Sequence, residues 1–421
     1  MRHVILGNGA AGLAAARQLR ALSPTDEILI ISDEPYLTYS RCLLAEYIRG
    51  DRSKERLLLH PAEFYQQQRF DLLLGRSAIE LDTDQRVLRL DDGQRIDYDR
   101  LLIATGAVSA MPPIPGLQSE RVVGLRTMAD ADRIIELAAG ADRAVVIGGG
   151  YIGLEAAYAL KRLGLQVTVL ERMPHILYAN LDELAAGIIT NDLAAERIAI
   201  RTGSDHQVTR IDEGRAGLRV NLCSNESLEA DFVVCAVGVR SNLELVRRTP
   251  IKADIGVLVD DYLQTNVPGI YSAGDVAQAR DLWTGEPKTT PIWPNAVAQG
   301  KLAARNMAGQ QRPYTGEVGL QNAVEFREVP AISFGLCKAT EAEGYQVRTL
   351  YRPQQGIYKK VVLQGDVLKG VILVGDISHA GVLTSLIKSG AHLGPIAERL
   401  LEEGFSQAYW MRPRLPALDV V

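Results

Sequence analysis

The sequence predicts an α/β fold in which one strand–turn–helix unit occurs twice and a smaller α+β region follows. Three observations carry this. The run Val4-Ile5-Leu6-Gly7-Asn8-Gly9-Ala10-Ala11-Gly12-Leu13 joins a short apolar strand to a Gly-x-Gly-x-x-Gly turn and an Ala/Leu pattern at helical spacing. The unit returns 141 residues later, from Arg143 to Leu154, with Ala156, Ala157, Leu160 and Leu163 in register with Ala15, Ala16, Leu19 and Leu22. From about Gly316 the pattern changes to that of short strands and a hairpin. A repeat spaced by a domain's length describes two like domains, not a solenoid.

Each unit has the chemistry of a dinucleotide cradle. Gly7 and Gly148 let the chain turn, Gly9 and Gly150 let a pyrophosphate approach the backbone, and Gly12 and Gly153 let helix and strand pack closely. The helix N-terminus adds free N–H groups and a positive dipole end. Ala11 belongs to the first turn, Tyr151 and Ile152 to the second. The fold class is therefore two Rossmann-like dinucleotide-binding domains plus a C-terminal α+β domain. The strand Ile28–Ile31 ends on Ser32-Asp33-Glu34, so Asp33 or Glu34 is the carboxylate for an adenosine ribose. The second unit's strand ends on Glu171, which suits both ribose hydroxyls of NAD and repels a 2′-phosphate, with Arg172 opposing that repulsion.

The rest follows in order. Pro35 to Tyr47 is a loop leading into an amphipathic helix and contains Arg41, Cys42 and Glu46. Gly75 to Asp99 is a hairpin about Asp91-Asp92-Gly93. Leu101 to Ile103 is a buried strand ending in Ala104-Thr105-Gly106, and Pro112 to Gly116 is a connector. Asp231 to Ala236 is another buried strand, turning at Gly238. Gly269 to Ala273 is a small-residue strand ending on Gly274-Asp275, where an acid can bond a sugar or ribityl hydroxyl. The helix from Ile292, which includes Ala296, points its N-terminus at the same ligand. Val329–Gly335 and Tyr345–Leu350 are strands, Gly356–Asp376 is a hairpin, and helical spacing runs to about Glu402. The tail Arg412–Val421 is extended.

A net charge of −5 and the lack of a basic tract exclude a nucleic-acid binder. No apolar run reaches bilayer length, and the first strand begins at once, so neither membrane span nor signal peptide is expected and the location is cytoplasmic. Cys42, Cys223, Cys235 and Cys337 are scattered without Cys-x-x-Cys, and His3, His60, His175, His206, His379 and His392 do not cluster. No metal site is expected, and any iron–sulfur cluster served sits on another polypeptide.

The two Gly-x-Gly-x-x-Gly units, Ala104-Thr105-Gly106 and Tyr271-Ser272-Ala273-Gly274-Asp275 together resemble the pyridine nucleotide–disulfide oxidoreductases over roughly residues 1–315. The resemblance implies FAD on the first unit and NAD on the second, with the NAD domain inserted in the FAD domain. Residues 1–115 and 240–315 then form the FAD-binding domain, 116–239 the NAD-binding domain and 316–421 a C-terminal docking or interface domain. It places Asp275 on the ribityl or phosphate part of the flavin, and Glu155 near nicotinamide and flavin. Tyr358–Asp376 with Gly381–Ile387 is similar to NADH:rubredoxin reductases and to the flavin part of NADH-dependent nitrite reductases. That implies electron transfer with a ferredoxin- or rubredoxin-like iron–sulfur partner. Similar subunits occur in 2-oxoacid:acceptor oxidoreductases such as phenylglyoxylate dehydrogenase, so a hetero-oligomeric complex, or a homodimer, is implied too.

Two departures from the family pattern matter. Arg41-Cys42-Leu43-Leu44-Ala45-Glu46 stands where many relatives carry Arg-Pro-x-Leu-Ser-Lys, so Glu46 replaces a lysine that pairs with the glutamate near the flavin. Cys42 matches the single redox cysteine of coenzyme A disulfide reductases and NADH peroxidases. The leading expectation is a FAD-containing reductase that exchanges hydride with NAD(H) and passes single electrons to or from an iron–sulfur protein. The alternative is a Cys42-dependent disulfide, peroxide or persulfide reductase; a non-enzymatic redox sensor ranks below both. Cys42 is either a thiolate activated by Arg41 or by a helix N-terminus, or a small packing residue.

Overall fold

Uninterrupted Val/Ile/Leu runs make strands that are buried on both faces, as parallel sheets require. The computed structural model describes residues 1–214, 217–281, 284–316, 321–402 and 404–405; the expected extended tail lies outside them. They form two compact units, one drawn from Met1–Leu170 and Asp205–Gly319, the other from Glu171–Ser204 and Leu320–Val421.

In the first unit a five-stranded parallel sheet runs in the order Ile270–Ser272, Arg100–Ile103, Arg2–Leu6, Glu27–Ser32, Asp71–Leu74. A second parallel set runs Gln166–Glu171, Arg143–Ile147, Phe232–Cys235, Val122–Val123. Strand Ile270–Ser272 lies beside Arg100–Ile103, so the chain leaves the first sheet after Ile103 and re-enters it at Ile270. The helix Ala10–Leu22 packs Ala11, Ala15, Ala16 and Leu19 into one core with Ala296, Ala303, Ala304 and Met307 of the helix Trp293–Met307. Gly300 permits this approach, because a Cβ there would lie 2.2 Å from the Ala11 carbonyl oxygen.

The stretch from Gly75 to Asp99 makes three antiparallel strands rather than one hairpin: Ala78–Asp82, Val87–Leu90 and Arg95–Asp97. Asp82 supplies the extra turn, its carboxylate accepting from the Asp84 and Gln85 amides.

The second unit has a five-stranded antiparallel sheet ordered Gln321–Phe326, Val329–Gly335, Val367–Val374, Ile357–Gln364, Gln346–Arg352. The expected helix toward Glu402 is shorter. Ala380–Ser389 stops at Gly390, whose φ is +59°, and a 3-10 turn covers Gly394–Arg399, which carries Pro395. Asp182 ties the helix Glu183–Ala195 to the sheet. One carboxylate oxygen caps the Ala185 amide at 3.1 Å, and the other accepts from the Tyr358 hydroxyl at 2.7 Å and lies 3.5 Å from Lys360 Nζ. We expect Tyr358→Phe to cost about 1.5–3 kcal/mol, the value of a hydrogen bond to a charged group. Urea unfolding checks this; no change would mean that the bond contributes nothing. Among the described residues, no helix is long and apolar enough to cross a membrane.

Candidate dinucleotide sites

Both cradles are built by the same close contacts. Gly7 and Gly148 have φ of +109° and +110°, and a Cβ on either would lie 2.1 or 2.4 Å from a carbonyl oxygen, of Ala104 and Ala236 respectively. A Cβ at Gly12 or Gly153 would lie 1.9 Å from the carbonyl oxygen of Gly7 or Gly148. Gly9 and Gly150 differ, since a Cβ at either would meet nothing within 4 Å. The space beside the helix N-terminus is open to a ligand. The first and third glycines shape the turn, and the second keeps the backbone bare.

Around the first cradle, Asn8 accepts from Thr38 Oγ1 at 2.6 Å, which fixes the turn to the loop beyond it. Ala104 donates to the Leu6 carbonyl. Thr105 Oγ1 donates to the Asn242 carbonyl at 3.0 Å, and the Asn242 amide donates back to Gly106. A Cβ on Gly274 would lie 3.0 Å from that of Ala11 and 3.6 Å from that of Ala296, and the Gly274 amide donates to Gln299 Oε1 at 2.8 Å. Thus Gly7–Gly12, Ala104–Gly106, Gly274-Asp275 and Ala296 are brought together.

The carboxylates after the second strand have different surroundings. Glu34 is engaged on both oxygens, by Arg41 Nη2 at 2.5 Å and by the Tyr39 hydroxyl at 2.6 Å. Arg41 also donates to the Arg126 carbonyl at 2.7 Å, so it is pinned between two segments. Asp33 is exposed, and among the described residues its one hydrogen bond accepts the Glu34 amide. Tyr39 is buried; its phenol, donating to Glu34 and accepting from the Met128 amide, is pushed well up by burial.

Asp275 accepts from Arg126 Nη2 at 2.5 Å, and its carbonyl accepts from Ser241. Sequence reasoning missed Arg126. It is one arginine ahead of a helix whose Thr127–Asp130 capping box is a visible signal, but nothing in the chain says where its side chain goes. The same guanidinium acts on Cys42. That cysteine is exposed, yet enclosure by nearby protein and the Glu155 carboxyl both push its thiol up, while Arg126 and the Ser40 hydroxyl oppose them. Arg41, the activator expected from sequence, is committed to Glu34.

At the second cradle, Tyr151, Ile152 and Gly153 open the helix Tyr151–Arg162, and Ile152 is 42% exposed. Gly238 accepts from the Ala110 amide. Glu171 ends its strand, and one of its carboxylate oxygens accepts the Met173 amide at 2.8 Å. Glu155 lies one turn into the helix. Burial raises its carboxyl to about 7, with Arg49 pulling down and Glu46 pushing up. Glu46 itself pairs with Arg52. His3 bonds Asp26, His392 bonds Asp366, and His60 stacks on Phe64. Among the described residues, no three His, Cys, Asp or Glu side chains converge as a metal site.

Two like cradles, on parallel sheets with an acid beyond each second strand, define an oxidoreductase that handles two dinucleotides. The chain belongs to the pyridine nucleotide-disulphide oxidoreductase family, which matches residues 1–300, and residues 322–391 match the rubredoxin NAD+ reductase C-terminal domain. It is 31% identical over 406 residues to the Bacillus subtilis nitrite reductase [NAD(P)H], covering 96% of this chain and 49% of that protein. It is 31% identical over 403 residues to the epsilon subunit of NADH-dependent phenylglyoxylate dehydrogenase of Aromatoleum evansii, covering 95% of this chain and 94% of the relative. The structure of an NAD-dependent persulfide reductase from A. fulgidus superposes with a TM-score of 0.85 at 30% identity, covering 93% of this chain and 78% of that one. The chain thus spans about half the length of the nitrite reductase it matches. The cofactors of this family are FAD and NAD(H), and the open space beside Gly9 and Gly150 fits a pyrophosphate at each cradle.

Proposed function

We propose that this chain is a FAD-containing oxidoreductase that exchanges a hydride with NAD(H) and passes electrons singly to or from an iron–sulfur protein or subunit. One observation carries the reading. A unit with two dinucleotide cradles is followed by a sheet domain of the rubredoxin reductase type. Residues 1–115 and 240–315 would hold FAD, 116–239 NAD, and 316–421 would dock the partner. Bound FAD supplies the exchange between a hydride and single electrons. Gly7, Gly9, Ala11 and Gly12 would take its pyrophosphate, and Asp33 its ribose, since Glu34 is committed to Arg41 and Tyr39. Ala104–Gly106, Asp275 and Ala296 would line the remainder. Gly148, Gly150–Gly153, Glu171 and Gly238 would hold the nicotinamide dinucleotide, orienting it so that transfer is effectively unimolecular. We place the protein in the cytoplasm, within a larger complex of the kind the epsilon-subunit relative is named for.

The likeness to a persulfide reductase, together with the exposure of Cys42, favours a second reading in which Cys42 relays electrons to a sulfur substrate. Anaerobic reduction by NADH in wild type and Cys42→Ser separates the two. Equal bleaching and equal reduction of a one-electron acceptor support the first. An extra reducing equivalent and a thiolate–flavin charge-transfer band, both lost in the variant, would overturn it. Glu171 bears on nucleotide choice: Glu171→Ala is expected to raise the use of NADPH relative to NADH about tenfold, ~1.4 kcal/mol, read from the two rates of flavin reduction. An unchanged ratio would show that Glu171 does not discriminate.

A further inference from the structure

Residues 172–182 run as a loop from Glu171, which ends its strand, to the helix Glu183–Ala195. The loop bends at Leu177, whose φ of +53° lies in the left-handed region that leucine disfavours. Ile176, Leu177 and Leu181 are buried, and the Asn180 and Leu181 amides donate to the Leu177 carbonyl. A conformation of this kind persists only where its surroundings over-determine it.

The C-terminal sheet, which belongs to the same compact unit, supplies that restraint. After the strand Val329–Gly335 the chain turns at Leu336, whose carbonyl accepts from the Ala339 amide and whose amide donates to the Lys369 carbonyl. The turn is pressed onto the neighbouring strand, because a Cβ on Gly370 would lie 2.4 Å from the Leu336 carbonyl carbon and 2.6 Å from the Cys337 amide nitrogen. From this platform Lys338 Nζ donates to the Tyr178 carbonyl and lies 3.6 Å from the centre of the Tyr178 ring. The Cys337 thiol donates to the Asn180 carbonyl at 3.2 Å, and Asp182 is held by Tyr358 and Lys360. Residues 178, 180 and 182 are thus each tied to the sheet. At the loop's other end the Met173 amide donates to the Glu171 carboxylate, and the Met173 carbonyl accepts from the Gly203 amide.

We propose that Lys338 is a positioning residue for the nicotinamide dinucleotide: it pins the loop after Glu171 to the C-terminal sheet, so that NAD(H) meets a carboxylate already in place. This rests on the reading in which Glu171 holds the ribose of NAD. Lys338 bonds the loop through both its charge and its N–H, on main chain and ring at one residue, whereas Cys337 offers only a weak thiol donor.

The test follows anaerobic reduction of the full-length, flavin-loaded protein by NADH in a stopped-flow instrument. Lys338→Met keeps the stem and removes the charge and the donor. It is expected to raise the half-saturating NADH concentration about tenfold with the limiting rate of bleaching unchanged, because the freed loop spends roughly a tenth of its time in the binding conformation. Lys338→Arg still donates and stacks, and is expected to stay within about twofold of wild type. Tyr178→Leu raises the half-saturation too, and the double variant is no worse than Lys338→Met alone. A merely structural lysine would lower the urea midpoint and leave the half-saturation where it is. Unchanged half-saturation in folded Lys338→Met overturns the proposal; if that variant does not fold, Tyr178→Leu decides on the same reading. Glu171→Ala tells two failures apart. If it raises the half-saturation and Lys338→Met does not, the nucleotide placement stands and the lysine has no part in it; if neither variant moves it, the placement fails as well.

Discussion

Gly9→Ala is expected to fold normally and lose its flavin, whereas Gly12→Ala strongly destabilises the fold itself. The two glycines belong to one motif and differ in what surrounds them. A methyl on Gly12 would sit 1.9 Å from the Gly7 carbonyl oxygen, backbone against backbone, with no side chain to rotate away. Overpacking ordinarily costs 1–3 kcal/mol; where only main chain can yield, about 4 kcal/mol is expected, a large share of a domain's stability. A methyl on Gly9 meets no protein atom within 4 Å, and its φ of −93° suits alanine. The methyl occupies only the space left for the pyrophosphate, and a hundredfold loss of FAD affinity, ~3 kcal/mol, follows. Thermal unfolding and the flavin retained through gel filtration check both. Full flavin in folded Gly9→Ala would remove the cofactor from this cradle.

The flavin-free protein should become less stable as pH rises through 7, and Glu155→Gln should abolish most of that slope. The folded carboxyl titrates near 7, above its ordinary 4.5, because burial penalises its charge. A raised folded value means that the native state holds the proton more tightly than the unfolded chain. The stabilisation is complete below about pH 4.5 and lost as pH rises through 7. The gap of roughly two and a half units corresponds to ~3 kcal/mol. Urea unfolding at about pH 5 and pH 8 measures it. The same slope in Glu155→Gln would assign it to other groups.

The backbone was largely legible in the sequence. Val4–Leu6 and Val145–Ile147 are apolar on both faces, and the glycines after them fix the turns, so local chemistry sufficed. Side-chain pairing across long separations was not. Glu34 and Asp33 are adjacent carboxylates with no local difference, and only the fold delivers Arg41 and Tyr39 to one of them. Arg126 and Asp275 are 149 residues apart, and no period or spacing connects them. The stacking of Arg49 on Tyr158 was not legible either, because the tyrosine lies on a helix more than a hundred residues later.

The order of strands in the first sheet also bears on how the protein is made. Arg100–Ile103 is an edge until Ile270–Ser272 pairs with it, and the apolar face of Ala10–Leu22 is bare until Trp293–Met307 covers it. At ~5–20 residues per second, the roughly 170 residues between those strands take about 8–34 s to emerge from the ribosome. For that interval the nascent chain carries an open sheet edge and an uncovered Ala/Leu stripe, the surfaces that holdase chaperones bind and aggregation exploits. Slow translation before codon 307 should therefore lower the yield of soluble protein more than slow translation after it.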